Sequence, residues 1–504
     1  MATSRGKVYL VGAGPGDPGL ITLRGCQCLA QADLVLYDYL VNPQILAHMR
    51  AGTEAMCLGH HGRDRIMPQA EINERMILAA GAGRTVVRLK GGDPIVFAHA
   101  AEETTALEAA GVPYEIVPGI TAVLAAGSYA GIPLTQGDFA SAVALVAGQE
   151  RGGKPSPGLD YRALALFPGT LVFYMGVTTA EHWSGELIRA GKEPDTSAAI
   201  VRRCSWPDQE VIYCTLGAVD AEIKSRHMRP PALVIVGPVA ALAPARSWFE
   251  ERPLFGATVL VTRSVEQAPK LAAALGDLGA DVLFQPAIEI GPPADWSHVD
   301  RAVERIADYD WLVFSSANGV RALMERLLAT HDLRALGAIK LAAIGPGTAE
   351  ELDRYHLRAD QVPDEFRAEA LAAALGEEAA AGRRFLLVRA NRGREVLAET
   401  LRTAGGDVDQ IVVYESRDIR RPHADIAARL AAGKIDWITV SSSAIARSLA
   451  NLFGEDLRRS RLASISPLTS AVLVELGFTP AVEAQNYTMK GLVAAIAAGE
   501  GSRH

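Results

Sequence analysis

The stretch that decides the fold of the first half is Val8-Tyr9-Leu10-Val11-Gly12-Ala13-Gly14-Pro15-Gly16-Asp17-Pro18. Its apolar run ends at Gly12, and residues 20–32 then have the apolar spacing of a helix. The stretch predicts a strand, a tight loop and a helix. Its glycines do not form the G-x-G-x-x-G pattern, so a site for NAD is not predicted. Taken alone, the loop fits a ligand-binding turn or plain structural punctuation equally well.

The same order of strand and helix recurs along the first half. Apolar runs at 34–37, 85–89 and 114–117 are each followed by a helical stretch, which predicts a parallel α/β sheet. A second set of runs lies at 142–146, 170–174, 198–201 and 232–236. The Gly/Pro-rich segment 148–158 separates the two sets. We therefore expect two lobes in the first half.

The chain after residue 256 is internally duplicated. Residues 313–317 (VFSSA) match 439–443 (TVSSS), and 278–282 (LGADV) match 404–408 (AGGDV), with further matches in the same order. Two similar α/β lobes leave a cleft between them, which is a usual place for a small-molecule site.

Composition narrows the class of protein. A length of 504 residues predicts several domains, and a net charge of -8 argues against a nucleic-acid partner. The sequence has no apolar run long enough for a membrane span and no export signal at its start, so we expect a cytoplasmic protein. The five cysteines lack the spacing of a metal site, and no metal is predicted.

The motifs of the first half, taken together, resemble a known family. Segments 8–22, 36–41, 87–96, 117–122, 170–176 and 231–237 are similar to uroporphyrinogen-III C-methyltransferase, of the tetrapyrrole methylase group, and the resemblance spans about 6–245. It implies two α/β lobes that bind S-adenosylmethionine in their cleft, usually as a homodimer. It also implies that uroporphyrinogen III is methylated twice to give precorrin-2.

This resemblance assigns roles to individual residues. It places the cofactor contacts on Pro15, Gly91, Gly92, Asp93, Val96, Thr121, Ala122 and Met175. Asp38 holds the place of the proton-accepting carboxylate, and its alternative interpretation is a polar residue that ends a strand. His60 stands where the family commonly has a lysine. It is predicted to be a catalytic residue, and the alternative is a loop histidine without a catalytic role. Segment 97–103 lacks the family's arginine.

The second half resembles uroporphyrinogen-III synthase over about 256–498. The supporting segments are 259–263, 311–321, 344–352, 412–414, 437–443 and 487–492. The resemblance implies that hydroxymethylbilane is dehydrated and cyclised, with inversion of its last ring and without a cofactor. Tyr414 matches a proposed general acid. Ser316, Thr348, Ser441 and Thr469 match substrate-contacting positions, although hydroxyl groups before helices are also common N-caps.

The two resemblances predict an α/β enzyme with two catalytic units. The first is expected at 6–245, with lobes of about 6–118 and 119–245, and 246–256 is the linker. The second is expected at 257–504, with one lobe of 257–285 plus 415–504 and another of 287–412. The alternative is that only one half is catalytic, with the duplicated half acting as a small-molecule binding or scaffold module.

Overall fold

The computed structural model describes residues 6–59, 67–149, 158–265, 267–393 and 395–501. These residues form two compact units. One unit contains the described residues up to Ala257 together with Leu275–Asp281, and the other contains Thr258–Ala274 and the described residues from Val282 onward.

The first unit is built from strands and helices in frequent alternation. Its strands are β1 (Val8–Gly12), β2 (Leu34–Tyr37), β3 (Glu54–Cys57), β4 (Val86–Lys90), β5 (Tyr114–Val117), β6 (Val143–Ala147), β7 (Thr170–Tyr174), β8 (Ser197–Arg202), β9 (Glu210–Thr215) and β10 (Ala232–Val236). Its helices are α1 (Leu23–Gln31), α2 (Gln69–Gly81), α3 (Ala100–Ala109), α4 (Ala122–Ala130), α5 (Tyr161–Ala165), α6 (Ala180–Arg189) and α7 (Val219–Ser225).

The first sheet has the order β3-β2-β4-β1-β5, and its strands pair in parallel. This confirms the parallel α/β prediction for the first set of apolar runs. Strand β4 is buried on both faces. Val87 and Leu89 pack in the core on the α1 face, whereas Val86 packs in the core on the α2 and α3 face. Because side chains alternate along a strand, Arg88 and Lys90 share the face of Val86.

The second sheet has the order β6-β7-β10-β8-β9 and is mixed. Strand β6 pairs in parallel with β7, but β10 is antiparallel to both β7 and β8, and β8 is antiparallel to β9. The apolar runs did not predict this arrangement. Its physical basis is the short connection from β8 to β9, which contains no crossover helix and therefore returns the chain antiparallel.

The second unit continues the numbering. Its strands are β11 (Thr258–Val261), β12 (Asp281–Phe284), β13 (Ile288–Gly291), β14 (Trp311–Phe314), β15 (Lys340–Ala343), β16 (Arg384–Ala390), β17 (Asp407–Asp418), β18 (Trp437–Val440), β19 (Arg461–Ser464) and β20 (Val482–Glu483). Its helices are α8 (Ala268–Gly276), α9 (Ser297–Glu304), α10 (Ala317–Leu328), α11 (Pro346–Asp353), α12 (Ala368–Ala374), α13 (Gly376–Ala380), α14 (Val396–Thr403), α15 (Ala424–Ala431), α16 (Ser443–Phe453), α17 (Pro467–Glu475) and α18 (Met489–Gly501).

The duplication is visible in the order of strands. One sheet runs β12-β11-β18-β19-β20, and the other runs β13-β17-β16-β14-β15. The series β17-β16-β14-β15 of the second sheet corresponds to the series β12-β11-β18-β19 of the first. Gln361, which forms a parallel bridge with Ala342 of β15, lies where the first sheet has β20. The expected lobe boundary at residue 415 falls inside β17, which continues to Asp418 because β13 pairs with its last residues.

Among the described residues, none of the helices combines the length and the apolar character needed to cross a membrane.

Candidate functional site

Three glycine-containing loops meet at the carboxyl edge of the first sheet. The loop after β1 is joined to the loop after β4 by a hydrogen bond from the Gly92 amide to the Gly14 carbonyl, at 2.8 Å. A Cβ atom added to Gly119, after β5, would lie 2.2 Å from the Gly92 oxygen. Gly92 has a φ of +71°, which favours glycine. The sequence therefore allows three backbone segments to approach each other and a ligand closely.

Asp93 fixes two of these loops. Its Oδ1 accepts a hydrogen bond from the Ile95 amide and its Oδ2 accepts one from the Gly119 amide, both at 2.9 Å. Its carboxylate is buried. The sequence suggested a carboxylate that accepts hydrogen bonds from a ligand, and the structure gives it two backbone donors. Each oxygen can accept a further bond.

The second lobe brings strained and aromatic residues to the same edge. The Thr121 hydroxyl lies 2.8 Å from the Tyr174 hydroxyl, which also accepts a hydrogen bond from the Val123 amide at 3.0 Å. Met175 follows with a φ of +52° and is half exposed, and Phe97 has a φ of +53°. The ring centroids of Phe97 and Tyr174 are 4.9 Å apart. Positive φ values at such residues are often found at binding sites.

The remaining predicted cofactor residues lie in these same loops. Pro15 accepts a hydrogen bond on its carbonyl from the Trp206 indole at 3.0 Å. Val96 and Ala122 pack against the core of the second lobe. A Cβ on Gly91 would lie 3.0 Å from the Cβ of Leu40.

Asp38 follows β2 and belongs to a buried charge network. The Arg88 Nη2 donates to its Oδ1 at 2.5 Å, and the Arg88 Nε donates to Glu103 Oε1 at 3.1 Å. The Lys90 Nζ donates to both Glu103 oxygens at 2.8 Å. The side chains of Arg88, Lys90 and Glu103 are at most 3% exposed, whereas that of Asp38 is 28% exposed. Asp38 is therefore the member of this network that solvent or a ligand can reach, and its buried partners hold it in place.

The four charged groups of this network balance each other. Burial lowers the pKa of Lys90, the charge of Arg88 lowers it further, and Glu103 raises it in opposition. Sequence reasoning did not assign Arg88, Lys90 or Glu103 a role. The available signal was the alternation in Val86-Val87-Arg88-Leu89-Lys90, which places charges on one face of a strand that is otherwise apolar.

Three further residues of the first half are His60, His99 and Cys204. His60 lies outside the described residues. His99 stands where the family has arginine, has a φ of +57°, and is exposed with its Nδ1 3.2 Å from Glu102. Cys204 is buried, which raises the pKa of its thiol to about 12.

In the second unit, Tyr414 and Ser316 come together. Their hydroxyl oxygens are 3.0 Å apart, and Ser316 Oγ also accepts the Gly319 amide at 3.1 Å as the N-cap of α10. Burial raises the pKa of Tyr414, while Ser316 and Asn318 act in the opposite direction. The phenol is thus protonated at neutral pH and suited to donate a proton. The capping and substrate interpretations of Ser316 are compatible.

A further chain of polar groups reaches Tyr414 through Asn318. The Gln267 amide nitrogen donates to Asn318 Oδ1 at 2.8 Å, and the Arg263 Nη2 donates to Gln267 Oε1 at 2.5 Å. Burial lowers the pKa of Arg263. These three residues were not predicted from the sequence, because 263 and 267 are distant from 318 in the chain.

The other predicted hydroxyl groups are placed differently. Thr348 and Thr469 are buried and lie inside the first turns of α11 and α17, which begin at prolines, so they do not precede these helices as the sequence suggested. Ser466 caps α17 and its Oγ lies 3.2 Å from the Thr469 hydroxyl. Ser441 is partly exposed, and its neighbour Ser442 caps α16.

The class of protein follows from these two units and from family comparisons. The model of tetrapyrrole (corrin/porphyrin) methylases matches residues 7–220, and the model of uroporphyrinogen-III synthase HemD matches residues 269–494. The chain therefore joins two α/β units of tetrapyrrole biosynthesis.

Comparison with individual proteins extends this result along the whole chain. The porphyrin biosynthesis protein HemD of Ruminiclostridium josui is 33% identical over 97% of this chain and 95% of its own. The uroporphyrinogen-III C-methyltransferase of Bacillus subtilis is 36% identical over 70% of this chain and 72% of its own. A Thermus thermophilus uroporphyrin-III C-methyltransferase solved with S-adenyl homocysteine is 40% identical over 47% of this chain and 94% of its own, with a TM-score of 0.41. The chain belongs to the tetrapyrrole methylase family in its first half and to the uroporphyrinogen-III synthase HemD family in its second.

Proposed function

We propose that this chain is a bifunctional enzyme that makes uroporphyrinogen III and then methylates it. The second unit would dehydrate and cyclise hydroxymethylbilane, and the first would transfer two methyl groups from S-adenosylmethionine to give precorrin-2. The observation that carries the proposal is that both families occur in one chain. The names of the synthase family and of the methyltransferase relative both contain uroporphyrinogen III, as the product of the first and the substrate of the second.

In the first unit, Asp38 is the proposed proton acceptor. Carbon methylation of a pyrrole produces a cationic intermediate, which must lose a proton to recover its conjugation. The guanidinium of Arg88 donates a hydrogen bond to the Asp38 carboxylate and another to Glu103, and Lys90 in turn holds Glu103 in place. The partial exposure of Asp38 supports contact with a substrate.

The glycine-lined edge fits S-adenosylmethionine as the methyl donor, which supplies an electrophilic methyl group on a sulfonium. The proposed holding residues are the eight cofactor contacts named from the sequence: Pro15, Gly91, Gly92, Asp93, Val96, Thr121, Ala122 and Met175. Their fit rests on the close backbone approach at Gly92 and Gly119 and on the accepting capacity of Asp93. Together they would bind and orient a ligand that has both polar and apolar parts.

In the second unit, Tyr414 is the proposed proton donor. Hydroxide is a poor leaving group, so the hydroxyl of a bilane must be protonated as its bond to carbon breaks. A buried tyrosine with a raised pKa remains protonated until then. Ser316 orients the phenol, and Ser316, Thr348, Ser441 and Thr469 remain the proposed substrate-contacting positions. The rest of the catalysis is positioning of the two ends of the linear chain.

The test uses the full chain with hydroxymethylbilane and S-adenosylmethionine, followed by separation of the products. We expect methylated product, and recovery of unmethylated uroporphyrinogen I alone would refute the proposal. Uroporphyrinogen III without methylation would leave only the second unit catalytic. Asp38→Asn should abolish methylation and keep ring closure, which serves as an internal control for folding. Methylation by this variant at the wild-type rate would remove Asp38 from the mechanism.

We also propose that the chain forms a homodimer through its first half, as implied by the family resemblance. Sedimentation of the full chain at several concentrations tests this. A species of 53.5 kDa at all concentrations would contradict it.

A further inference from the structure

The second unit contains a cavity of about 300 Å³ at the carboxyl ends of β14 and β16. Three arginines line it, namely Arg367, Arg389 and Arg392, together with Tyr414. Among the described residues that line this cavity, none is an aspartate or glutamate. Its wall therefore carries three positive charges beside the proposed proton donor.

Each arginine is anchored by an acid that does not line the cavity. Arg392 Nη1 donates to Asp418 Oδ1 at 2.7 Å, Arg389 pairs with Glu395, and Arg367 pairs with Glu365. A guanidinium has five N–H donors. Arg389 uses four of them on Ala390, Glu395, Gln410 and Gly393, so it offers a ligand at most one, and the cavity depends mainly on Arg367 and Arg392 for donors to a ligand. The acids hold the arginine side chains in place and reduce the cost of bringing three cations near one another.

We propose that this arginine cavity is a carboxylate subsite for the acidic side chains of a linear tetrapyrrole, an inference that rests on the proposed function of the second unit. Its volume is at the low end for ligand sites, so it suits one or two carboxylate-bearing side chains and excludes a whole tetrapyrrole. Arginine is the residue best matched to a carboxylate, because its planar fork donates two parallel hydrogen bonds. Binding here fixes one part of the substrate next to Tyr414.

The alternative is that the three arginines serve only their ion pairs. In that case their removal would change stability and leave substrate affinity unchanged. Arg392 and Arg367 have side chains that are 39% and 60% exposed, so glutamine at either position is tolerated more readily than at Arg389, which is 16% exposed. Substitution of Arg392 and Arg367 therefore distinguishes a carboxylate subsite from arginines that serve only their ion pairs.

The experiment compares Arg392→Gln and Arg367→Gln with the wild-type full chain. The matched control is Arg447→Gln, because Arg447 also pairs with one acid, Glu475, and its side chain is 52% exposed away from the cavity. For each protein, uroporphyrinogen III formation is measured against hydroxymethylbilane concentration. We expect KM to rise about 10-fold or more in each cavity variant, with kcat within about 3-fold, because a charge-assisted hydrogen bond is lost. The control should behave as wild type.

A second measurement separates this inference from the proposed function. Binding of uroporphyrin III, a polycarboxylate that does not react, is followed by quenching of its fluorescence. Weaker binding in both cavity variants, but not in Arg447→Gln, supports the subsite even if the wild type does not turn over. Normal turnover with unchanged KM and unchanged binding in both variants would overturn the subsite and leave the proposed function standing. Arg392→Lys should recover part of the affinity, since it keeps the charge without the fork.

Discussion

Glu103 makes the buried charge network of the first unit open to a sharp test. Its side chain is fully buried and accepts hydrogen bonds from Arg88 and Lys90. Glu103→Gln keeps the shape, removes one negative charge, and turns one accepting oxygen into a donor that faces donors. The neighbouring residue offers a matched control, because Glu102 lies on the same helix with 43% of its side chain exposed.

The magnitude follows from the charge balance. Asp38, Arg88, Lys90 and Glu103 sum to zero, and the substitution leaves one uncompensated positive charge in a site that is nearly closed to water. Removing one partner of a buried ion pair costs about 3–5 kcal/mol. Glu102→Gln should change stability by no more than about 0.5 kcal/mol, because surface pairs contribute little.

Native-state hydrogen exchange of the full chain resolves the two units, since each peptide reports its own opening free energy. Amides of β4, Val86–Lys90, should exchange about 100-fold faster or more in Glu103→Gln, because each 1.36 kcal/mol is about tenfold. Peptides covering β18, Trp437–Val440, should exchange as in the wild type. Equal protection of β4 in the Glu103 and Glu102 variants would refute the assigned role of the network.

The pH dependence of the same variant provides an independent check. The folded-state pKa of Lys90 is already lowered by burial, and loss of Glu103 removes the largest of the interactions that raise it. The unfolded chain then binds more protons than the folded chain at pH values between the folded pKa and about 10.4, so stability rises with pH in that window. The loss of stability of Glu103→Gln relative to the wild type, measured by hydrogen exchange and corrected for the intrinsic exchange rate, should become smaller as pH rises from about 7 toward about 10. A deficit that grows with pH would contradict this account.

Two further predictions concern the other site features. Gly119→Ala should destabilise the first unit by about 1–3 kcal/mol and weaken S-adenosylmethionine binding, because its Cβ meets the Gly92 carbonyl oxygen. Gly137→Ala, where nothing lies within 4 Å of the added Cβ, is the control, and calorimetric titration after a denaturant series measures both effects. Tyr414→Phe should lower kcat for ring closure about 10- to 100-fold with KM little changed, because Ser316 keeps its cap but the proton donor is lost. An unchanged kcat would exclude Tyr414 as the general acid.

The sequence was most informative about elements with a clear local pattern. Apolar runs predicted four of the five strands of the first sheet but not β3, and the internal repeat predicted two similar α/β lobes. The strands depend on short-range periodicity, and the duplication is visible when the chain is compared with itself. The mixed second sheet was missed because strand direction there depends on which strands pair, and β10 inserts between β7 and β8 from a distant part of the chain.

The sequence supplied candidates for single site residues more readily than for the partners of those residues. Asp38 and Tyr414 were proposed one at a time, from position in a motif, and their roles stay predictions. Arg88 and Glu103 were not, because their hydrogen bond joins a strand to a helix 15 residues later. The prediction that Thr348 and Thr469 precede their helices was wrong. Helices α11 and α17 begin at prolines two residues earlier, so both threonines lie inside the first turn.

The two proposed proton-transfer groups, Asp38 and Tyr414, have different environments. Asp38 accepts a hydrogen bond from the buried guanidinium of Arg88, which holds its carboxylate in place as the proposed proton acceptor. The Tyr414 hydroxyl lies 3.0 Å from the Ser316 hydroxyl, and burial raises its pKa, so the phenol keeps its proton as the proposed proton donor. At neutral pH an aspartate is ordinarily ionised and a tyrosine ordinarily protonated. The residue types therefore fix which proposed group accepts the proton and which donates it, and the surroundings contribute mainly by holding each group in position.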